Sequence, residues 1–127
     1  MMTEQRAQLV SFIKARKKSA RSSALYDTNN YFIRGINVEY TELQQFVEDT
    51  NEYSDGNIYA ILLSRKKRYT EAVYTLKGMY NELMRGQKNA VAETLSFICK
   101  WDVEAEPVYE DIVEGLRIGR QVVVFKK

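Results

Sequence analysis

Four carboxylates near the end of the chain have the spacing best suited to chemistry. Glu106, Glu110 and Glu114 recur at intervals of four residues, and Asp111 lies beside them. On one helix these side chains would share a face, where they could offer oxygen ligands to a divalent cation. The same spacing fits a solvated acidic stripe near a helix N-terminus, which the helix dipole favours. We prefer the solvated stripe and predict no metal site.

Histidine is absent from the chain. Without an imidazole, neither a Ser–His nor a Cys–His nucleophile can be assembled, and no histidine is present to bind zinc. Cys99 is the single cysteine, so an intrachain disulfide and a multi-cysteine zinc site are both excluded. We find no P-loop, dinucleotide-binding or EF-hand motif. The sequence therefore predicts a protein that has no catalytic residues, needs no cofactor and is not an enzyme.

A first basic cluster, called the α1 ridge below, falls on a predicted N-terminal helix. At 100° per residue its members occupy roughly one third of the helix circumference, away from the apolar side. Such a ridge can follow a nucleic-acid backbone, with Tyr26, Tyr31 and Phe32 stacking on exposed bases. The alternative is a solvated face, or one that pairs with the acidic segment 37–56, and a net charge of only +2 favours this alternative. The ridge comprises Lys14, Lys17, Lys18 and Arg21.

A second basic cluster interrupts the predicted long helix. Four consecutive bases reach every side of a helix, so Arg65 must point toward the apolar side. A buried unpaired charge is too costly to persist, so either the helix breaks there or a carboxylate pairs with Arg65. This cluster can converge with the α1 ridge on a polyanion or an acidic protein patch, or it can pair within the chain with Glu48, Asp49 or the 102–114 segment. Its members are Arg65, Lys66, Lys67 and Arg68.

Charge is segregated into segments of alternating sign along the whole chain. Segregation on this scale predicts oppositely charged surfaces, which can hold helices in register, dock a second copy or bind a charged partner. The net charges are +5 for residues 1–36, −6 for 37–56, +4 for 57–85, +1 for 86–101, −6 for 102–114 and +4 for 115–127.

The positions of apolar residues predict the elements that carry these charges. Thr41 and Gln44 match a capping box, and Asn89 can cap a further helix. Gly78 lies inside the predicted long helix and leaves room for a break. The predicted helices cover residues 3 to about 21, 42 to about 51 and 58 to 86, then a stretch from Asn89 through Trp101 and a last one that begins near Pro107 and ends before Gly119.

The end of the chain is typical of a β-strand, because three valines and a phenylalanine follow one another. A single strand must find a partner, which here is residues 31–38, the same strand of a second copy, or another protein. Residues 31–40 are themselves rich in β-formers but interrupted by Gly35, which predicts a short strand or an extended connection. The predicted assembly strand consists of Val122, Val123, Val124 and Phe125.

Together these patterns predict a mainly α fold, a single domain over 1–127 with four to five helices and a short C-terminal β-strand. The chain has 127 residues and 45% apolar residues, enough for one core. Its longest apolar run, from Tyr59 to Leu63, is too short to cross a membrane, and its start does not resemble a signal peptide. We expect an intracellular, cytoplasmic protein that contacts no membrane and no small-molecule substrate.

The nine tyrosines favour a binding role. Tyr69 and Tyr80 match the buried stripe of the long helix, whereas Tyr59 and Tyr74 project elsewhere, and exposed tyrosines beside bases are common in protein interfaces. We predict a non-enzymatic protein–protein interaction or assembly protein that self-associates or binds a larger complex. The alternative is a nucleic-acid-binding protein. The size of this chain, its tyrosine content and its lack of motifs resemble those of many small bacteriophage proteins, which serve as virion components or as inhibitors of host machinery.

Overall fold

A computed structural model describes residues 2–23, 30–106, 116–118 and 121–123, and for the last two ranges it describes the backbone alone. This part of the chain is mainly helical, as predicted. α2 packs against α4, while α1 packs against α2 and α3 packs against α4. The helices are α1 (Glu4–Ser22), α2 (Tyr31–Glu48), α3 (Asp55–Thr75) and α4 (Gly78–Phe97), and the short strands are β1 (Leu116–Ile118) and β2 (Gln121–Val123).

Three helices begin at a polar residue whose side chain accepts a hydrogen bond from a free backbone N–H. Thr3 accepts from the amide of Arg6 at 3.1 Å, and Asn30 accepts from the amide of Ile33 at 3.0 Å. Ser54 and Asn57 form a reciprocal capping box at the start of α3. Caps of this kind each stabilise a helix by about 1 kcal/mol. They explain why α1, α2 and α3 start where they do.

Helix α2 corrects two predictions. Residues 31–38 are helical, so the predicted strand there is wrong, and these residues cannot pair with a C-terminal strand. Thr41 is not a cap, because its hydroxyl donates to the carbonyl of Asn37, one turn earlier, at 2.8 Å. β-propensity is easily overridden by burial, and this segment buries Gly35, Glu39 and Tyr40 between its neighbours.

The predicted long helix is two helices. α3 ends at Thr75 and α4 begins at Gly78, whose φ of 63° is a left-handed conformation that glycine adopts without strain. The side-chain amide of Asn81 donates to the carbonyls of Val73 and Leu76 and so ties the two helix ends together. Asn89 lies inside α4, so the predicted cap at this residue is wrong.

The backbones of α2 and α4 touch where the two helices cross. A Cβ atom added to Gly35 would lie 2.1 Å from the carbonyl oxygen of Leu83, and one added to Gly86 would lie 2.0 Å from that of Phe32. Real side-chain atoms do not approach this closely, so both positions require glycine. This crossing sets the distance between the two central helices.

The core fills the space around that crossing. Every described helix contributes fully buried apolar side chains, and Tyr40 and Tyr69 are the largest of them. No helix within the described ranges combines the length and the apolar character that a membrane span requires. The buried apolar residues of lowest exposure are Leu9, Ile13, Tyr40, Leu43, Val47, Ile58, Ile61, Leu62, Tyr69, Met84, Ala90 and Val91.

At the end of the chain, β1 and β2 pair antiparallel, with Leu116 opposite Val123. Val122 and Val123 of the predicted assembly strand belong to β2, whereas Val124 and Phe125 lie outside the described residues. A strand over all four residues therefore stays a prediction. The predicted helix that begins near Pro107 also falls mostly outside the described part, and at 116–118 the backbone is extended.

Candidate interaction surfaces

Arg65 of the second basic cluster points into the core. Its side chain is 3% exposed, and its Nη1 lies 3.2 Å from a carboxylate oxygen of Glu39 and 3.2 Å from one of Glu42. The same nitrogen donates to the hydroxyl of Tyr69 at 3.1 Å. The expected pairing of Arg65 is confirmed, and its partners are Glu39 and Glu42 on α2; neither Glu48, Asp49 nor a carboxylate of the described residues 102–106 pairs with it.

Glu39 is the centre of this buried network. Its carboxylate accepts hydrogen bonds from the Tyr69 hydroxyl and, at 3.2 Å, from the Gln87 side-chain amide. Burial raises the pKa of Glu39, and the charge of Arg65 opposes that rise. Burial and the negative charge of Glu39 raise the pKa of Tyr69. The network connects α2, α3 and α4 away from solvent, so it positions helices and is not open to a ligand.

A second buried arginine, which the sequence analysis missed, joins three helix ends. Arg6 donates to Asp55 at 2.7 Å, to the carbonyl of Val47 at 2.8 Å and to the carbonyl of Tyr53 at 2.7 Å. Its three polar contacts satisfy the buried guanidinium. In the sequence, the position of Arg6 on the apolar side of α1, three residues before Leu9, indicates that its side chain is buried.

The α1 ridge lies along α2. Lys14 is 3.8 Å from Glu48, Lys17 donates to Gln44 at 3.1 Å, and Arg21 donates to Asn37 at 3.1 Å. Lys18 is exposed. Exposed ion pairs such as Lys14–Glu48 contribute little to stability, and a neutral partner leaves the charge of a base in place. The ridge therefore contacts the 37–56 segment, yet it stays a positively charged surface.

The two basic clusters are not brought together. The α1 ridge contacts Asn37, Gln44 and Glu48 on one side of α2, whereas Arg65 of the second cluster pairs with Glu39 and Glu42 on the opposite side. Lys66 and Lys67 are exposed, Arg68 is half-buried, and Arg65 is buried. Since Arg65 is engaged in the core, an external polyanion or acidic protein could meet only the other three bases of this cluster.

The solvent-facing side of α3 combines bases with large apolar side chains. Leu63 is 42% exposed and Tyr74 is 86% exposed, and Lys66 and Lys67 lie between them on the same side of the helix. Thr70 completes this surface. We call these five residues the outer α3 face. No carboxylate of the described residues forms an ion pair with either lysine.

The break between α3 and α4 determines which tyrosines are exposed. Tyr69 is buried and Tyr74 is exposed, as predicted. Tyr80 is 40% exposed, so its predicted core position is wrong. The prediction assumed one continuous helix, and the break at Leu76 and Lys77 turns the following residues to a different side.

Of the four carboxylates whose spacing could suit a divalent cation, Glu106 alone lies within the described residues. It contacts other groups of the protein. Glu106 accepts from the hydroxyl of Ser54 at 3.2 Å, and its backbone carbonyl accepts from the side chain of Asn57 at 2.9 Å. Glu110, Asp111 and Glu114 lie outside the described residues. Within the described ranges, no three potential ligands cluster around a common point suited to a metal ion.

No protein-family model, curated protein or solved structure matches this chain. The class of the protein is therefore defined by its fold, a bundle of helices in the part that the structure describes. Two of the surfaces in the described part of the chain carry exposed bases suited to binding a partner, the α1 ridge and the outer α3 face.

Proposed function

We propose that this protein is a non-enzymatic interaction protein, and that its outer α3 face binds an acidic protein surface carrying apolar side chains. The observation that carries the proposal is the exposure of Tyr74, at 86%, about two helical turns beyond two lysines that form no ion pair with a carboxylate of the described residues.

The apolar residues of this face supply the binding energy. A tyrosine offers a large contact area and loses little conformational entropy when it is immobilised, so exposed tyrosines often become the dominant residues of an interface. Leu63 lies about eleven residues earlier, roughly 16 Å away along the helix axis. Two apolar anchors at this separation span three turns of one helix, which suits a protein surface better than a small molecule.

The lysines select the charge of the partner. Lys66 and Lys67 lie between the two apolar anchors, and the exposed Glu71 lies at the edge of the same side, so a partner that covers Leu63 and Tyr74 meets two bases and one acid. Complementary charge raises association rates and disfavours wrong partners. We therefore expect carboxylates on the partner surface opposite these lysines.

Charge reversal on the outer α3 face should weaken partner binding without unfolding the chain. In Lys66→Glu/Lys67→Glu, we expect affinity for a protein captured from the source cell to fall at least about tenfold, because two attractive contacts become repulsive. Binding of the purified partner is measured by titration calorimetry. Arg85→Glu/Lys100→Glu is the matched control, since it changes the net charge equally at exposed positions outside the proposed surfaces. If the control lowers affinity as much as the test variant, the proposed face is wrong.

Nucleic-acid binding is the second candidate, and the α1 ridge favours it. Lys17 and Arg21 have neutral hydrogen-bond partners and therefore keep their charge. If the ridge contacts phosphates, affinity for single-stranded RNA or DNA should fall steeply with salt, and Lys17→Glu/Lys18→Glu should reduce the slope of log affinity against log salt. Fluorescence anisotropy at several salt concentrations measures this slope. Absence of binding at low ionic strength removes this candidate.

The tail also belongs to this proposal. We propose that residues 122–125 act as an assembly strand, because consecutive β-branched residues favour an extended backbone that can add to a sheet edge. Because Val122 and Val123 already pair with β1 within the chain, a second copy or another protein would add to the other edge of this strand.

A further inference from the structure

The side of α1 that faces away from the bundle has an ordered charge pattern. Glu4, Ser11, Ala15 and Lys18 are exposed and lie within about 40° of one line along the helix, opposite the buried Ile13. The acid is near the N-terminal end of this line, and the base is near the C-terminal end. Small side chains occupy the middle.

We propose that this face of α1 binds the same face of a second copy, with the two helices antiparallel and a two-fold axis beside Ser11. In this arrangement each Glu4 lies opposite the Lys18 of the other copy. A parallel arrangement would instead place Glu4 against Glu4 and Lys18 against Lys18, and both pairs repel. The charge order of the helix therefore selects an antiparallel second copy.

The register of this pair follows from the residue numbers. Glu4 and Lys18 are fourteen residues apart, about 21 Å along the helix, and Ser11 is midway between them. The same symmetry places Ala7 at the level of Ala15 of the other copy along the helix pair. The two backbones can approach closely along the centre, because the facing side chains there are small. Closed two-fold symmetry is the commonest arrangement of self-associating proteins.

Apolar surface beside this face would be covered by the second copy. The ring of Phe97 stacks on Phe12 with the ring centroids 4.3 Å apart, yet Phe97 remains 39% exposed. A shallow groove of about 650 Å³ runs from these rings to Ala7, Gln8 and Ser11. The two-fold axis gives the dimer two such grooves, both on the same side of the helix pair.

The size of the surface predicts how strong this association is. α1 has 19 residues and is therefore about 28 Å long, and one side of such a helix covers less than the roughly 800 Å² per partner that stable complexes bury. We therefore expect a dimer that forms and dissociates with concentration, rather than a permanent one. The surface is separate from the outer α3 face, so either proposal can fail without the other.

A charge exchange between two variants tests the proposal. In Glu4→Lys, both ion pairs of the homodimer become pairs of bases, and in Lys18→Glu both become pairs of acids. We expect each single variant to be monomeric at concentrations where the unchanged protein dimerises, with the dimer dissociation constant raised at least tenfold. An equimolar mixture of the two variants should form a heterodimer, because every pair is then opposite in charge. Sedimentation equilibrium of nuclease-treated full-length chains measures all three states.

Controls separate this dimer from other outcomes. Lys66→Glu on α3 should dimerise like the unchanged protein, and circular dichroism should show that the α1 variants remain folded. The proposal is overturned if both single variants dimerise normally, if their mixture stays monomeric, or if the unchanged chain stays monomeric after nuclease treatment. In that last case, any self-association seen before nuclease treatment would be due to bound nucleic acid.

Discussion

Replacing Gly86 by alanine should lower the free energy of unfolding by about 3 kcal/mol, the upper end of what overpacking costs. The added methyl group would lie 2.0 Å from the Phe32 carbonyl oxygen, which belongs to a helix backbone and cannot rotate away. α2 and α4 must therefore separate, and the packing of the whole core around them loosens. Gly35→Ala should have a similar effect, because its methyl group would meet the Leu83 carbonyl oxygen at 2.1 Å. Urea denaturation followed by circular dichroism measures both.

Gly78→Ala is the matched control for these variants. Nothing lies within 4 Å of an added Cβ atom there, so the cost comes only from the left-handed backbone and should be about 1–2 kcal/mol. The double variant Gly35→Ala/Gly86→Ala should cost less than the sum of the single changes, because helices that have already separated accommodate the second methyl group. Single variants as stable as the unchanged protein would show that the two backbones do not touch.

Replacing Arg65 by methionine should destabilise the fold by about 3–5 kcal/mol at neutral pH, because Glu39 would be left as a buried charge without its cationic partner. Replacing both residues, in Glu39→Met/Arg65→Met, should recover part of that loss, since no buried charge remains. Urea denaturation of the single and double variants measures this difference. A double variant less stable than Arg65→Met would contradict the view that an unpaired carboxylate causes the loss.

The loss in Arg65→Met should also depend on pH. Burial raises the pKa of Glu39 above its ordinary value of 4.5, and removal of Arg65 takes away a charge that lowers it. Above pH 4.5 the native state then holds a proton that the unfolded state has released, so stability falls as pH rises until native Glu39 has ionised. The variant should therefore be closer to the unchanged protein near about pH 5 than near about pH 8. In a Glu39→Gln background this difference between the two pH values should vanish.

Patterns of apolar residues predicted the existence of helices better than their boundaries. α1 was predicted within two residues at each end, because its apolar spacing is regular and Thr3 caps it. α2 was predicted partly as a strand, because tyrosine, phenylalanine, isoleucine and valine favour strands locally, and only the crossing at Gly35 shows why this segment is helical. Burial between helices is a property of the folded chain that local composition does not contain.

The candidate surfaces, like the helices, were predicted only in part from the sequence. The four consecutive bases required Arg65 to face inward, and this prediction is confirmed. Its partner Glu39 could not be identified, since the partner lies on a segment predicted as a strand. The exposure of Tyr74 followed from helical geometry alone, whereas the exposure of Tyr80 depends on a helix break that the sequence only allowed.

Site-specific photo-crosslinking from the outer α3 face tests the central claim most directly. A photoreactive phenylalanine analogue at Thr70, between the lysines and Tyr74, should give a discrete protein adduct in the source cell that resists nuclease and disappears in Lys66→Glu/Lys67→Glu. The same analogue at Gln45, an exposed position on α2, should not give this adduct. A nucleic-acid adduct at Thr70, or the same protein adduct at both positions, would contradict the assignment of α3 as the face that binds a protein partner.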